Sequence, residues 1–224
     1  MSSAFPALAV VDMDGTLLSV SSERLFLEHM VRKRLVSPAG LARFAAGYAL
    51  HPVRSIREGK GWNRWYLAGV CAAEAAREAE LLAEDSLCGS IRPSVGEALA
   101  NLSAGGCRVV IVTASLRFLA APVARAVAAH GLLASVPEES GGVLTGRLVG
   151  PRPWGREKSS LVQAVCDREG VSAADCVALG DSWSDRHMML RCGRAIAVHP
   201  SPGLRKLAAR MGWQVMEGRH TRWA

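Results

Sequence analysis

Ala7-Leu8-Ala9-Val10-Val11-Asp12-Met13-Asp14-Gly15-Thr16 is the stretch that decides the fold. Apolar residues run without alternation and stop at an aspartate. So short a run suits a strand buried on both faces, as in a parallel sheet between two helical layers. The turn that follows carries a second aspartate, so two carboxylates sit at the strand's carboxyl end. Beyond it the rhythm changes. From about Ser21 to Glu84 the spacing is helical: Ser22 as cap of a helix through Leu25, Phe26, His29 and Met30, then Leu41–Leu50 stopped by Pro52, then the Ala/Glu-rich 72–87.

Strands and helices alternate after that. Val95–Leu102 reads as a helix broken by Gly105-Gly106, and Arg108–Val112 as a β-branched strand ending at Thr113. Residues 120–130 read as a helix, Val143–Val149 as a small hairpin about Thr145-Gly146, and Lys158–Arg168 as a helix. Cys176–Leu179 and Ala195–Val198 are strands, and Pro202–Met211 is the last helix. The fold class expected is α/β, a parallel sheet with helices on both faces. Residues 1–17 and 91–224 form the core, and residues 18–90 are a helical domain inserted after the first strand.

Two strand ends are acidic. Asp12 and Asp14 follow the first strand; Gly180-Asp181-Ser182-Trp183-Ser184-Asp185 follows a later one. Ligands of open parallel sheets bind at the carboxyl ends of strands. Four carboxylates gathered there repel one another and need a cation, and oxygen-only donors favour Mg²⁺. Phosphoryl transfer needs a nucleophile, positive charge on the phosphoryl oxygens and a proton for the leaving group. Asp12 suits the nucleophile and Asp14 the acid and base. Gly15 lets backbone N–H groups approach a phosphate. Thr113 offers a hydroxyl, and Lys158 a charge for both the phosphate and Asp12. Singly, each has a plainer explanation as a turn, a strand-end hydroxyl, a solvated lysine or a helix-capping acid. Their order along the chain is what favours catalysis.

The ordered set Asp12-Met13-Asp14-Gly15-Thr16, Thr113, Lys158 and Gly180-Asp181 with Asp185 resembles the four motifs of the haloacid dehalogenase-like superfamily. The helical insertion resembles the C1 cap of its phosphoserine-phosphatase-like subfamily. That resemblance implies a Rossmann-like core and an aspartyl-phosphate on Asp12. It implies Mg²⁺ held by Asp12, Asp181 and the backbone carbonyl of Asp14, and phosphate held by Thr113 and Lys158. Asp185 would support the metal or orient Lys158, with Ala114 and Ser182 as supporting neighbours. Asp14 favours phosphatase over dehalogenase chemistry, because an alkoxide leaving group needs a proton. The chain departs from phosphoserine phosphatases in its residues Ser19–Glu23, in Thr113-Ala114-Ser115-Leu116, and in Ser184. The phosphate chemistry is therefore expected and phosphoserine as substrate is not. Glu23, Arg64, Arg152 and Arg156 are the candidates for reading the leaving group, with Arg57, Lys60, Trp62, Trp65 and Tyr66 beside them in the insertion.

Composition sets limits on partners. Half of the 224 residues are hydrophobic and 21% are charged, ample for a packed core. The net charge of +7 comes mostly from arginines spread along the chain. Its densest cluster, Arg32-Lys33-Arg34, is too short for a nucleic-acid arm, and the charge fits attraction to small anions. Six scattered cysteines show no zinc spacing. No signal peptide and no apolar run of about 20 residues is visible, so a reducing cytoplasm is expected. The expected function is hydrolysis of a small phosphorylated metabolite. A lipid phosphatase at a membrane surface, of phosphatidylglycerophosphate type, and a phosphomutase or phosphotransferase using the same aspartyl-phosphate are the alternatives. Oligomeric state stays open.

Overall fold

In the computed structural model, which describes residues 5–53 and 60–218, a seven-stranded sheet runs in the order β4-β3-β2-β1-β5-β6-β7. The strands are β1 Leu8–Val11, β2 Arg108–Leu116, β3 Gly131–Ser140, β4 Val143–Val149, β5 Cys176–Gly180, β6 Arg194–Val198 and β7 Gln214–Met216. All neighbours pair in parallel except β3 with β4. Every residue of β1 is buried, and its register is shared with β2 on one side (Val11 opposite Ile111) and β5 on the other (Val11 opposite Leu179).

Two layers cover the sheet. Ala9 and Val11 join Val109, Ile111, Val177 and Leu179 in one apolar cluster, while Leu8 and Val10 join Val110, Val112 and Ala178 in another. Successive strand residues point to opposite faces, so a continuous apolar run fills both cores at once. The first face is covered by α1 Ser22–Arg32, α3 Ala72–Leu82, α4 Pro93–Ala104 and α5 Arg117–Ala126. The second is covered by α6 Arg156–Glu169, α7 Arg186–Arg191 and α8 Pro202–Met211. Helix α2, Pro38–Leu50, starts where the Ser37 hydroxyl accepts the Gly40 N–H. No helix among the described residues is long and apolar enough to cross a membrane.

Several sequence expectations shift. Residues 131–140 form a full strand, and the turn of the hairpin is Gly141-Gly142, both at positive φ, rather than Thr145-Gly146. Val143–Val149 is one arm of that hairpin. Strand β7 follows the last helix, where the sequence pattern predicts no element. Strand β2 continues past Val112 to Leu116, so Thr113 lies inside it, beyond the last pairing with β1. The cap position of α1 is Ser21, not Ser22. Arg57 falls outside the described residues, as does the side chain of Lys60.

Between β1 and β2 the described residues are mainly helical, and residues 69–72 bond to the β3–β4 hairpin. Gly69 N–H donates to the Leu144 carbonyl (2.8 Å), Leu144 N–H to Val70 (2.8 Å) and Ala72 N–H to Gly142 (3.0 Å). Residues 69–72 thereby line the outer edge of β4.

Candidate active site

The chain enters the sheet at β1, builds outward to β4, and returns to β5 on the other side of β1. The crevice of an open α/β sheet opens at such a reversal, outside the carboxyl ends of the strands. Asp12 leaves β1 there and Asp181 leaves β5 there. Gly15 turns the chain at φ +86°, a conformation that favours glycine. A Cβ at Gly15 would lie 2.5 Å from Asp181 Oδ2, so the two loops touch only because that residue has no side chain. Thr16 Oγ1 donates to Asp181 Oδ1 at 3.0 Å.

Lys158, in the first turn of α6, is 2% exposed. Its Nζ donates to Asp12 Oδ1 at 2.5 Å and to Asp185 Oδ1 at 2.7 Å. The second oxygen of Asp185 accepts the Ser182 N–H (3.0 Å) and hydroxyl (2.6 Å). Asp185 is thus fixed at both ends and orients Lys158. Carboxylate oxygens of Asp12, Asp181 and Asp185 all lie within 4.8 Å of one another. Burial pushes the Asp12 carboxyl well up, with Lys158 opposing and Asp185 and Asp181 adding to the rise. Burial works against the Lys158 ammonium, but Asp12 and Asp185 outweigh it and raise its pKa. Burial and the charge of Asp185 push Asp181 up to about 6. An acidic cluster this crowded gains from a cation, and its hard oxygen donors fit Mg²⁺. Asp12, Asp181 and Asp185 each offer an oxygen to such an ion, although three hydrogen bonds already engage Asp185.

Asp14 lies apart from that triad. Its carboxylate accepts the Ser22 N–H (2.9 Å), the Ser22 hydroxyl (3.1 Å) and the Ser115 hydroxyl (2.5 Å). Burial raises its pKa, while those bonds pull the other way. Ser22 is free for this contact because Ser21, not Ser22, sits at the helix cap. Sequence reasoning missed both serines. The signal was present, since each lies at the end of an element abutting the Asp12–Asp14 turn, but a hydroxyl pair 93 residues apart has no spacing rule.

Thr113 is 1% exposed and its Oγ1 accepts the Ser115 N–H at 3.1 Å. The Ala114 carbonyl accepts Ser135 Oγ (2.6 Å) and Arg64 Nη2 (2.8 Å), the latter from the helical insertion. Arg64, 1% exposed, also pairs with Glu23 Oε1 through Nη2 (2.6 Å) and Nε (2.8 Å). Glu23 is pushed up by burial, with Arg64 opposing, and it feels the charges of Asp14 and Arg152. Arg152 Nη2 approaches the same point: a Cβ on Gly61 would lie 2.9 Å from it, 3.3 Å from Glu23 Oε2 and 3.4 Å from Arg64 Nη2. Three of the four residues expected to read the leaving group therefore converge. Arg156 does not. It is exposed on α6, and its charge bears on Arg186 and His187 instead. Arg92, unremarked in the sequence, donates through Nε to the Gly15 carbonyl at 3.3 Å.

The haloacid dehalogenase-like hydrolases match this chain over residues 9–190, which span both acidic strand ends and Lys158. The chain belongs to that family. A Mycobacterium tuberculosis (strain ATCC 25618 / H37Rv) hydrolase named phosphoserine phosphatase SerB1 is 28% identical over 97% of this chain and 73% of its own length. A solved structure of a Bordetella pertussis Tohama I protein with unknown function is 29% identical, covers 94% of this chain and 97% of its own, and superposes at a TM-score of 0.81. An apo phosphoserine phosphatase structure shares the fold at a TM-score of 0.69, with 17% identity over 97% of this chain and 96% of its own.

Proposed function

We propose that this hydrolase is a Mg²⁺-dependent phosphomonoesterase acting on a small phosphorylated metabolite. The observation that carries the proposal is the Lys158 ammonium clamped between Asp12 and Asp185 at the sheet's reversal, with the separately buried Asp14 carboxyl two residues on. Lys158 fixes one oxygen of Asp12 and leaves the other to attack phosphorus. As that bond forms, the bond to the leaving oxygen breaks, and Asp14 supplies its proton. Asp14, now a carboxylate, takes a proton from the water that attacks the aspartyl-phosphate, which returns Asp12 and releases inorganic phosphate. Ser22 and Ser115 hold Asp14 through both steps. Asp12, Asp181 and the backbone carbonyl of Asp14 would hold Mg²⁺, which when bound supplies positive charge against the phosphoryl oxygens. Thr113 and Lys158 hold the phosphate.

In the same proposal residues 18–90 are a cap that excludes water and reads the leaving group through Glu23 and Arg64. Six free cysteines fit a reducing cytoplasm. The test is phosphate release from p-nitrophenyl phosphate with and without Mg²⁺. Wild-type protein turns over only with the metal, and Asp12→Asn is inactive while staying folded. Undiminished activity in Asp12→Asn overturns the assignment. An isomeric phosphate product with little free phosphate would make the protein a mutase.

A further inference from the structure

Described residues of the insertion line a half-open cavity of about 890 Å³, and none of Asp12, Asp14, Thr113 or Lys158 is among its lining. Leu27, Phe44, Tyr48 and Tyr66 give it an apolar, aromatic wall, and Ser21 and Glu23 line it as well. The rings form a continuous edge-on chain: Phe44 with Tyr66 at 5.2 Å, Phe44 with Tyr48 at 5.1 Å, and Tyr48 with Trp62 at 5.7 Å. The cavity adjoins the site through the start of α1. Ser21 and Glu23 line it, while Ser22 between them bonds Asp14. Two buried side-chain atoms nearby have no hydrogen-bond partner among the described residues, the Tyr66 hydroxyl and Arg64 Nη1. Tyr66 is 3% exposed and lines the cavity. A buried donor without an acceptor is costly.

Serine is far smaller than this space. Pockets of roughly 300–1,000 Å³ with apolar walls and a few polar groups take ligands with a substantial apolar body. We propose that the substrate is a phosphate monoester whose leaving alcohol carries an alkyl or aryl body larger than serine. That body lies against Phe44, Tyr48 and Tyr66, beside Glu23. The proposal rests on the phosphomonoesterase assignment and narrows its substrate.

A series of n-alkyl phosphates from ethyl to octyl keeps leaving-group acidity nearly constant while the apolar body grows. With Mg²⁺ present, kcat/KM rises about two- to fourfold per methylene until the cavity is filled. Tyr48→Ala flattens that rise, and Tyr48→Leu, which keeps an apolar wall, retains most of it. The comparison is a ratio within each variant, so partial misfolding of one does not decide it. Octyl phosphate in solution against the same ester embedded in phosphatidylcholine vesicles tells a soluble substrate from a lipid one, and preference for either fits. A flat series, or one that falls with length, overturns the proposal while p-nitrophenyl phosphate turnover leaves the phosphatase assignment standing. No turnover of any ester removes both.

Discussion

Replacing Lys158 by methionine tests the centre of the site. The two carboxylates that Lys158 joins are then left facing each other, Asp185 at 1% and Asp12 at 10% side-chain exposure. Their nearest ligand oxygens lie within 4.8 Å. At an effective dielectric of about 20, two unit charges at that distance repel by about 3.5 kcal/mol. Removing one partner of a buried pair costs about 3–5 kcal/mol by experience with other proteins. The two figures agree, and against a typical stability of about 5–15 kcal/mol the loss is large. Urea denaturation near neutral pH in EDTA should show it. Mg²⁺ should recover part of the loss, because a cation on Asp12 and Asp181 does some of what the ammonium did. Lys158→Met/Asp185→Asn removes one of the stranded charges and should regain about half of the loss, a coupling that only neighbours show. Phosphatase activity stays down by at least about 100-fold in both. A single variant that loses less than about 1 kcal/mol in EDTA, or a double variant less stable than the single, would refute the account of Lys158 as the charge that holds the site together.

Gly15→Ala places a Cβ 2.5 Å from Asp181 Oδ2 at a φ of +86°. It should cost about 1–2 kcal/mol in backbone strain and raise the Mg²⁺ concentration needed for half-maximal activity; an unchanged metal titration counts against contact between these loops. Ser115→Ala removes a bond to the Asp14 carboxylate worth about 1.5–3 kcal/mol and should lower kcat by about 10- to 100-fold with little change in KM, read by steady-state kinetics. Glu78, 1% exposed, bonds His29 Nε2 at 2.7 Å and Arg77 Nη2 at 2.7 Å. The bond to His29 holds its carboxyl below the usual range, against the opposing effect of burial and with the charges of Lys33 and Arg77 assisting. A depressed carboxyl stabilises the fold above its unfolded value of about 4.3 and loses that contribution as pH falls through the folded value. Thermal melts of Glu78→Gln should therefore lie below wild type at neutral pH and converge with it in acid.

What the sequence disclosed follows from what each signal depends on. Strand β1 was legible because burial on both faces demands an unbroken apolar run, and Leu8–Val11 supplies it. The meeting of Asp12, Lys158, Asp181 and Asp185 was legible because each lies near the end of an element on the sheet's carboxyl side, and element ends are local. Strand β3 was hidden because half of it serves an edge hairpin, where Ser135, Pro137 and Glu138 are tolerated; no apolar period survives there. Strand β7, three residues long, offers nothing to count. Ser22 and Ser115 were invisible for a different reason. Their partner is set by how α1 and β2 meet in space, and a serine near a helix start reads locally as a cap. Arg156 carried the right charge at the wrong angle, since α6 turns it outward while turning Lys158 in.

The three backbone bonds between residues 69–72 and the β3–β4 hairpin bear on how this molecule can be taken apart. An exposed sheet edge recruits strands from other molecules, and here the insertion itself occupies the outer side of β4. A chimera that transplants residues 18–90 alone would strip that edge bare and leave Gly69, Leu144 and Ala72 without backbone partners. The unit that can be exchanged between relatives is larger and discontinuous: the insertion together with its hairpin, moved as one piece.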